Sequence, residues 1–357
     1  MAAHPLRAAL RGSSLGQILH LTPVRPQDAT GQVAQVYRAM EREFGVVAPP
    51  VALHSPVAPL MAASWLVLRE ALLIPGTAGR TVKETVATAV SRTNTCPYCV
   101  TVHGAMLRAL QAAPAATGAL EAWADWTRSA QDVAAEGGLD GQDGAGWPVP
   151  AGQAGELIAV VVLFHYLNRV VNVFLGEAPM PPGAPSGALA VVGPVLARII
   201  RSGARRTGGP GEYLELLPAA ELPGDLAWAD TPALAGAFAR AAAAMEEAGM
   251  RWVPDRVRAL VTRRLAAWDG SGPGLSRSWV AEATAGLPEE ERAAGRLALL
   301  TALASYQVDA TTLADVRADH PGDEAVLGVA SWAAMAAARR VGRAMADREA
   351  TRTPPVG

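Results

Sequence analysis

Apolar residues recur at helical spacing along most of the chain. Within residues 28–45, Val33, Val36 and Met40 are three or four positions apart, and residues 79–92 continue the pattern. Such spacing places apolar side chains on one face of an α-helix. Alanine, the strongest helix former, dominates these segments, and no run of alternating β-branched residues bounded by turns is present. The pattern therefore predicts an all-α fold.

The most apolar stretch, residues 157–175, contains four residues that a lipid bilayer penalises, namely His165, Asn168, Arg169 and Asn172. A membrane-spanning helix needs about 20 mostly apolar residues, and charged groups within it are costly. We therefore expect a buried helix of a soluble protein and no membrane contact. The chain starts with scattered arginines and no continuous apolar core, so we expect no secretion signal and a cytoplasmic location.

Two pairs of segments indicate an internal repeat. The segment that begins at Gly79 resembles the one that begins at Gly295, and the apolar helix near Gly155 has a counterpart near Gly322. A duplicated supersecondary unit would produce this order, although alanine-rich helices also resemble one another by chance. We expect a helical bundle that is duplicated within the chain and has a degenerate second copy.

Composition divides the chain into four parts. Residues 20–200 form the first predicted domain, and residues 231–346 form the predicted degenerate repeat. Between them, residues 201–230 are rich in glycine and proline, which is typical of a linker. We expect residues 347–357, at the end of the chain, to form a frayed tail.

Composition and charge narrow the possible functions. Half of the residues are apolar and 18% are charged, so the chain can bury a large core. The formal net charge of -2 gives no electrostatic reason to expect nucleic acid as a partner. Lys83 is the only lysine in the chain. Glycine-rich phosphate loops of the Walker or dinucleotide type are absent, so we predict no organic cofactor.

The two cysteines of the chain, Cys96 and Cys99, form a C-x-x-C motif. Residues 93–95 offer side chains that can cap a helix N-terminus, and Pro97 suits the first helical turn. Both thiols would then lie in the first turn, where backbone N–H groups and the helix dipole lower the pKa of a thiol. In a cytosolic protein such a pair favours redox, catalytic or metal chemistry over a structural disulfide.

Two further residues extend this motif. His103 follows Cys99 by four positions, so the two side chains share one helix face. A base beside a thiol activates it as a nucleophile, and a second thiol within reach can condense with a sulfenic acid formed on the first. Glu84, in the preceding helix, could orient His103. Alternatively, Glu84 pairs with Lys83 or Arg80 on an exposed face.

Other interpretations of the cysteine pair differ in what they require. Haem attachment needs a histidine directly after the second cysteine, where Val100 stands. A thioredoxin-like domain needs a βαβ context, which the pattern lacks. Two inert buried cysteines also fit the pattern. A zinc site normally has four ligands, and the second close-spaced pair is missing, although four candidates exist: Cys96, Cys99, His103 and either Glu84 or His165. We predict a dithiol redox site without metal.

The spacing E-x11-C-x-x-C-x-x-x-H, formed by Glu84, Cys96, Cys99 and His103, resembles the signature of alkylhydroperoxidase D-like proteins. These proteins belong to the carboxymuconolactone decarboxylase superfamily. The resemblance extends over residues 27–176 and includes a downstream helix with an Asn-Arg pair. It implies an all-helical bundle that assembles as a homo-oligomer, a dimer or trimer.

The resemblance also implies an activity. Members with the dithiol reduce hydroperoxides, and a partner protein with its own dithiol reduces the resulting disulfide. By position, Cys99 resembles the peroxide-attacking thiol, Cys96 resembles the resolving thiol, and Glu84 and His103 resemble the proton relay. The internal repeat would have lost this set, because other residues stand opposite it: Ala310 and Leu313 opposite the cysteines, Ala298 opposite Glu84, and Arg317 opposite His103.

Tyr98 departs from the resemblance, because some members have a histidine between the two cysteines. Tyrosine is a much weaker base near neutral pH. We therefore take Tyr98 and His165 as candidate accessory residues, and His165 would compensate for the missing histidine. Two other functions remain open. One is a decarboxylase or isomerase that acts on a small lactone through acid–base groups without a thiol pair. The other is a non-catalytic interaction protein that senses redox state.

Overall fold

The structure of the chain is a computed structural model, which describes residues 11–110, 118–129, 131–133, 148–180 and 207–352. Its described part is helical, and extended pairing there is limited to one isolated antiparallel bridge between Ile18 and Leu175. The prediction of an all-α fold is confirmed.

Short helices and turns separate long helices that pack around one continuous core. The α-helices are α1 (Gly31–Glu43), α2 (Pro49–Ala52), α3 (Ala58–Leu68), α4 (Arg80–Thr93), α5 (Pro97–Ala109), α6 (Gly118–Ala124), α7 (Ala154–Phe174), α8 (Pro232–Trp252), α9 (Asp255–Ala266), α10 (Ser278–Thr284), α11 (Glu289–Ala304), α12 (Ala310–Asp319) and α13 (Asp323–Arg352). Among the described residues, a π-helical segment, Arg69–Leu73, extends α3, and 3-10 turns lie at Ala151–Gln153, Leu214–Leu216, Gly224–Leu226 and Ser305–Gln307.

The first helix shows how the apolar spacing becomes packing. Val33, Val36 and Met40 are buried on one face of α1, as the pattern predicted. Tyr37 shares that face, and its hydroxyl donates to the carbonyl oxygen of Val24 at 2.6 Å. The chain leaves the helix at Gly45, whose φ of 90° is a conformation that residues with a side chain rarely adopt.

The helix α7 is the centre of the core, and it packs along α13 and against α4. Its length and hydropathy would allow it to span a membrane, yet 94% of its most apolar window is buried inside the fold. Its polar residues, including Asn168 and Arg169, are buried as well. Since the protein itself covers this helix, its apolar character is explained by core packing.

The two halves of the chain share an order of elements. In the first half α4, α5 and α7 follow one another, and in the second half α11, α12 and α13 do so. Cys96 is the N-cap residue of α5, and Asp309 is the N-cap residue of α12, where its side chain accepts from the backbone N–H of Thr312. Alignment of these caps places Asp309 rather than Ala310 opposite Cys96. The duplication itself remains a prediction.

The segment predicted as a linker is described from residue 207 onward, and residues 201–206 lie outside the described part. Within it, Leu216 and Leu226 are buried in the common core. At the other end, α13 continues through the first residues of the predicted tail to Arg352. The division into domains remains a prediction.

Candidate functional site

The cysteine motif begins where one helix ends and the next starts without an intervening loop. Asn94 is the C-cap of α4, and Thr95 follows it with a φ of 50°. The backbone N–H of Cys96 donates to the carbonyl oxygen of Ser91, and that of Thr95 donates to Arg92, both at 3.0 Å. These two bonds form a Schellman motif.

The residue that closes this motif also opens the next helix. Cys96 is the N-cap of α5, so the prediction of an N-cap within residues 93–95 is wrong. Pro97 occupies the first helical position, as predicted. The local backbone thus fixes the position of the first thiol from both sides.

Thr95 is exposed and adopts a left-handed conformation that is unfavourable for a β-branched residue. Replacing Thr95 by glycine should therefore raise the free energy of unfolding by about 1 kcal/mol. Chemical denaturation measures this quantity. The matched control is Thr93→Gly at the end of α4, which should lower stability by up to about 1 kcal/mol. Destabilisation by Thr95→Gly would contradict the left-handed turn.

Both cysteines are free thiols and both are buried, Cys96 at 1% and Cys99 at 3% exposure. A hydrogen bond from the Cys99 thiol is the main cause that lowers the pKa of Cys96, and the backbone N–H of Cys99 assists. The same bond to Cys96, followed by burial, raises the pKa of Cys99 well above its usual value. The prediction was that the helix start lowers the pKa of both thiols. The pKa of Cys96 is lowered, but mainly by the Cys99 thiol and less by the helix backbone, and for Cys99 the prediction is wrong.

Asn168 on α7 also contacts the thiol pair. A hydrogen bond from its side chain lowers the pKa of both cysteines. The same amide donates to the hydroxyl of Ser91 at 3.1 Å and accepts from the side chain of Asn94 at 3.0 Å. Asn168 is fully buried, so these contacts hold the end of α4, the thiols and α7 in one arrangement.

Glu84 and His103 form a directly bonded pair. The distance from Nδ1 of His103 to Oε2 of Glu84 is 2.6 Å, and the ring of Phe164 meets the imidazole edge to face at 4.6 Å between centroids. With Nδ1–H donating to the carboxylate, Nε2 is the imidazole nitrogen left to accept a proton. The predicted orientation of His103 by Glu84 is thus the arrangement in the structure.

The carboxylate of Glu84 also binds Arg80, whose Nε lies 2.8 Å from Oε1. Burial favours a raised pKa for Glu84, but the charge of Arg80 and the bonds to His103 outweigh it and lower this pKa to about 2. Glu84 thus pairs with Arg80 as well as with His103. The alternative prediction placed the Glu84–Arg80 pair on an exposed face, whereas Glu84 is completely buried.

A small cavity of about 90 Å³ gives access to part of this arrangement. Cys99 and His103 line it, whereas Cys96 does not. Apolar residues form most of the remaining wall, including Phe164 and Leu167 of α7. Of the two cysteines, Cys99 is therefore the one that a small molecule in the cavity would contact.

Tyr98 also lines the cavity, and its hydroxyl donates to Oε1 of Gln17 at 2.8 Å. Burial, together with the neighbouring cysteines, raises the pKa of Tyr98 well above its usual value, so the phenol stays neutral. Gln17 escaped the sequence analysis because it lies far upstream, in a segment without a motif. Tyr98 thus contributes to the cavity wall and is no substitute base.

His165 is bound to Arg169. It is fully buried, and its Nδ1 accepts from the guanidinium of Arg169 at 3.0 Å. Burial, and then the charge of Arg169, lower the pKa of His165 well below its usual value. His165 does not line the cavity of Cys99. The accessory role predicted for it therefore has no support in the geometry.

Larger cavities lie elsewhere. One of about 1340 Å³ is formed by α8, α9 and α13, and it contains neither cysteine. We place the candidate redox site at the smaller cavity because Cys99 and His103 line it. Cys96 is hydrogen-bonded to Cys99 behind the wall, and Glu84 is bonded to His103. Among the described residues, no group of three or more His, Cys, Asp or Glu side chains could hold a metal ion.

Comparisons with known proteins match this region and most of the chain. The model of the carboxymuconolactone decarboxylase family matches residues 59–138, which include both cysteines, Glu84 and His103. A protein of Mycobacterium tuberculosis named alkyl hydroperoxide reductase is 38% identical over 349 residues, which cover 95% of this chain and 98% of that protein. No solved structure shows a significant match.

Proposed function

The chain belongs to the carboxymuconolactone decarboxylase family, and from this membership we propose that it is a thiol-dependent peroxidase. Its substrate is a hydroperoxide, which it reduces through a dithiol–disulfide couple of Cys96 and Cys99. The observation that carries the proposal is the joint position of Cys99 and His103 in one cavity, with the second thiol hydrogen-bonded to the first. The name of the M. tuberculosis relative supports the same activity.

The first step is attack of the Cys99 sulfur on the outer oxygen of the hydroperoxide. The O–O bond breaks and the sulfur becomes a sulfenic acid, while the proton that the Cys99 thiol gives up ends on the leaving alkoxide, which becomes an alcohol. Nε2 of His103 is positioned to move that proton, because Glu84 holds Nδ1. Phe164 and the other apolar walls keep bulk water from the reacting atoms.

In the second step the Cys96 thiolate attacks the sulfenic sulfur of Cys99. A disulfide forms and hydroxide leaves, which becomes water with one proton. The lowered pKa of Cys96 suits this role, since thiolate is the attacking form. A protein with its own dithiol then reduces the disulfide by thiol–disulfide exchange and completes the two-electron cycle. We also propose that the protein is cytoplasmic and that it assembles as a homo-oligomer, either a dimer or a trimer.

The decisive test compares the mass of the protein before and after treatment with an organic hydroperoxide. We expect the peptide that contains Cys96 and Cys99 to lose two hydrogen atoms, and a dithiol to restore them. The double variant Cys96→Ser, Cys99→Ser serves as the control and should not change. The result would contradict the proposal if the native protein left hydroperoxides unreduced while this double variant still decarboxylated a small lactone. The function would then be that of a decarboxylase that uses acid–base groups.

A further inference from the structure

Lys83, the only lysine of the chain, lies directly before Glu84 on α4 but belongs to a different site. Successive residues of an α-helix point about 100° apart, so the two side chains leave α4 in different directions. Lys83 is 3% exposed. A buried lysine is rare, because removal of an ammonium group from water is costly without compensation.

The ammonium nitrogen of Lys83 has two partners in the structure. It donates to the carbonyl oxygen of Ile74 at 3.1 Å and lies 3.4 Å from Oε2 of Glu156. Glu156 is itself fixed, because its Oε1 accepts from the backbone N–H of Thr77 at 2.7 Å and from its hydroxyl at 2.9 Å. A Cβ at Gly76 would come within 2.1 Å of Oε2 of Glu156, so this glycine leaves room for the carboxylate.

These groups face a cavity of about 530 Å³. This volume lies in the range of pockets that hold small molecules. Apart from Lys83 and the carboxyl groups of Glu70 and Glu156, the walls are largely apolar: Ile74, Pro75, Leu214, Pro232 and Leu234. Burial of an amine against apolar walls favours its neutral, nucleophilic form. The carboxyl groups beside it oppose this effect, but they can carry the protons that imine formation exchanges.

The charges in this cavity suit a neutral ligand. Burial lowers the pKa of Lys83, although Glu156 acts in the opposite direction. Burial likewise raises the pKa of Glu70, and Arg69 opposes it. An anionic ligand would meet the Glu156 carboxylate, whereas a carbonyl oxygen can accept hydrogen bonds from Lys83 or from a protonated acid.

We propose that the cavity around Lys83 is a second ligand site, in which the amine binds small apolar aldehydes or ketones covalently as an imine. The nitrogen of Lys83 attacks the carbonyl carbon, and a carbinolamine forms. Its hydroxyl then leaves as water, and the two hydrogens lost by nitrogen end on that water molecule. Glu156, whose Oε2 lies 3.4 Å from the Lys83 nitrogen, is the nearest group to transfer these protons, and Glu70 also lines the cavity. The step needs no oxidant or reductant.

This site is separate from the thiol cavity. The π-helical segment lies between the two, with Glu70 and Ala71 lining the cavity of Lys83 and Leu72 lining the cavity of Cys99. No residue is common to the two walls. The inference therefore does not depend on peroxidase activity.

Reductive trapping tests the proposal. The native protein is incubated with hexanal and cyanoborohydride, which converts an imine into a stable secondary amine, and the peptides are mapped by mass. Since the chain has one lysine, the amine targets are Lys83 and the N-terminal amino group. We expect a saturable alkyl adduct on the Lys83 peptide. In Lys83→Arg that adduct is lost, while the adduct on the N-terminal amine remains.

A cavity-filling variant separates binding from plain chemical reactivity. Leu214→Trp fills the cavity and keeps the amine, so the adduct at Lys83 should be lost. Leu275→Trp is the matched control, because Leu275 is 97% exposed, and it should label like the native protein. Thermal unfolding of each variant verifies that it is folded.

The double cysteine-to-serine variant should also label normally, so failure of the peroxidase proposal leaves this test intact. Labelling of Lys83 only after denaturation, or equal labelling in Leu214→Trp, would overturn the second site.

Discussion

Replacing Cys99 by serine is expected to lower hydroperoxide turnover by about a thousandfold or more, since it removes the proposed nucleophile. Replacing Cys96 by serine has a different effect. The Cys96→Ser protein keeps the thiol that lines the cavity, so one equivalent of hydroperoxide should be consumed and sulfenic acid should accumulate on Cys99. Stopped-flow consumption of hydroperoxide measures the first effect, and a dimedone adduct located by mass measures the second.

Two features of the site favour different cysteines as the nucleophile, and the comparison of these two variants distinguishes them. The hydrogen bond between the thiols lowers the pKa of Cys96 and raises that of Cys99, which favours Cys96 as the reactive thiolate at rest. The cavity wall contains Cys99 and omits Cys96, which favours Cys99 as the sulfur that meets the substrate. Access decides between the two cysteines, because a buried thiolate without a path to the peroxide cannot react.

A reversed order of the two thiols would give a different result. If the Cys99→Ser protein accumulated sulfenic acid on Cys96 at the native rate, the order of the two thiols would be reversed. Cys99 would then be the resolving residue, as the position of the second cysteine in thioredoxin-like sites suggests. The control for intact folding is the thermal midpoint of both variants, which should be similar because serine and cysteine differ little in size.

The sequence was sufficient for the features that depend on local spacing. The buried face of α1 follows from the positions of Val33, Val36 and Met40, and Pro97 marks the start of α5 because its ring suits a first helical turn. The N-cap was misassigned for a physical reason. Threonine and asparagine are better caps than cysteine by propensity, but the Schellman motif that ends α4 uses Asn94 and Thr95 and leaves the cap position to Cys96.

The contacts between distant segments could not be predicted in the same way. Periodicity indicates which face of a helix is buried, and it says nothing about the neighbour that covers it. Gln17 therefore went unrecognised as the partner of Tyr98, and nothing in the sequence indicated that Asn168 would bind the thiols. His165 was a candidate by residue type alone, and the structure pairs it with Arg169.

Glu84 was the least certain member of the motif from sequence, and it carries the second large effect. We expect Glu84→Gln to lower kcat/KM for a hydroperoxide by about a hundredfold or more, because a neutral amide holds the imidazole of His103 less firmly and does not stabilise its protonated form. The matched control is Asp309→Asn, the N-cap of α12. Asparagine caps a helix as well as aspartate does, so activity should not change.

The same substitution has a pH-dependent effect on stability. The pKa of Glu84 is lowered from 4.5 to about 2 in the folded protein, so the ionised carboxylate stabilises the fold above pH 4.5 and loses this effect as the pH falls toward 2. At neutral pH the loss in Glu84→Gln should be about 3 kcal/mol. We expect the difference in unfolding free energy between native protein and variant to be largest at neutral pH and to shrink steadily below pH 4.5. A difference independent of pH would mean that the carboxyl group is not ionised beside Arg80 and His103, and the proton relay would then lose its anchor.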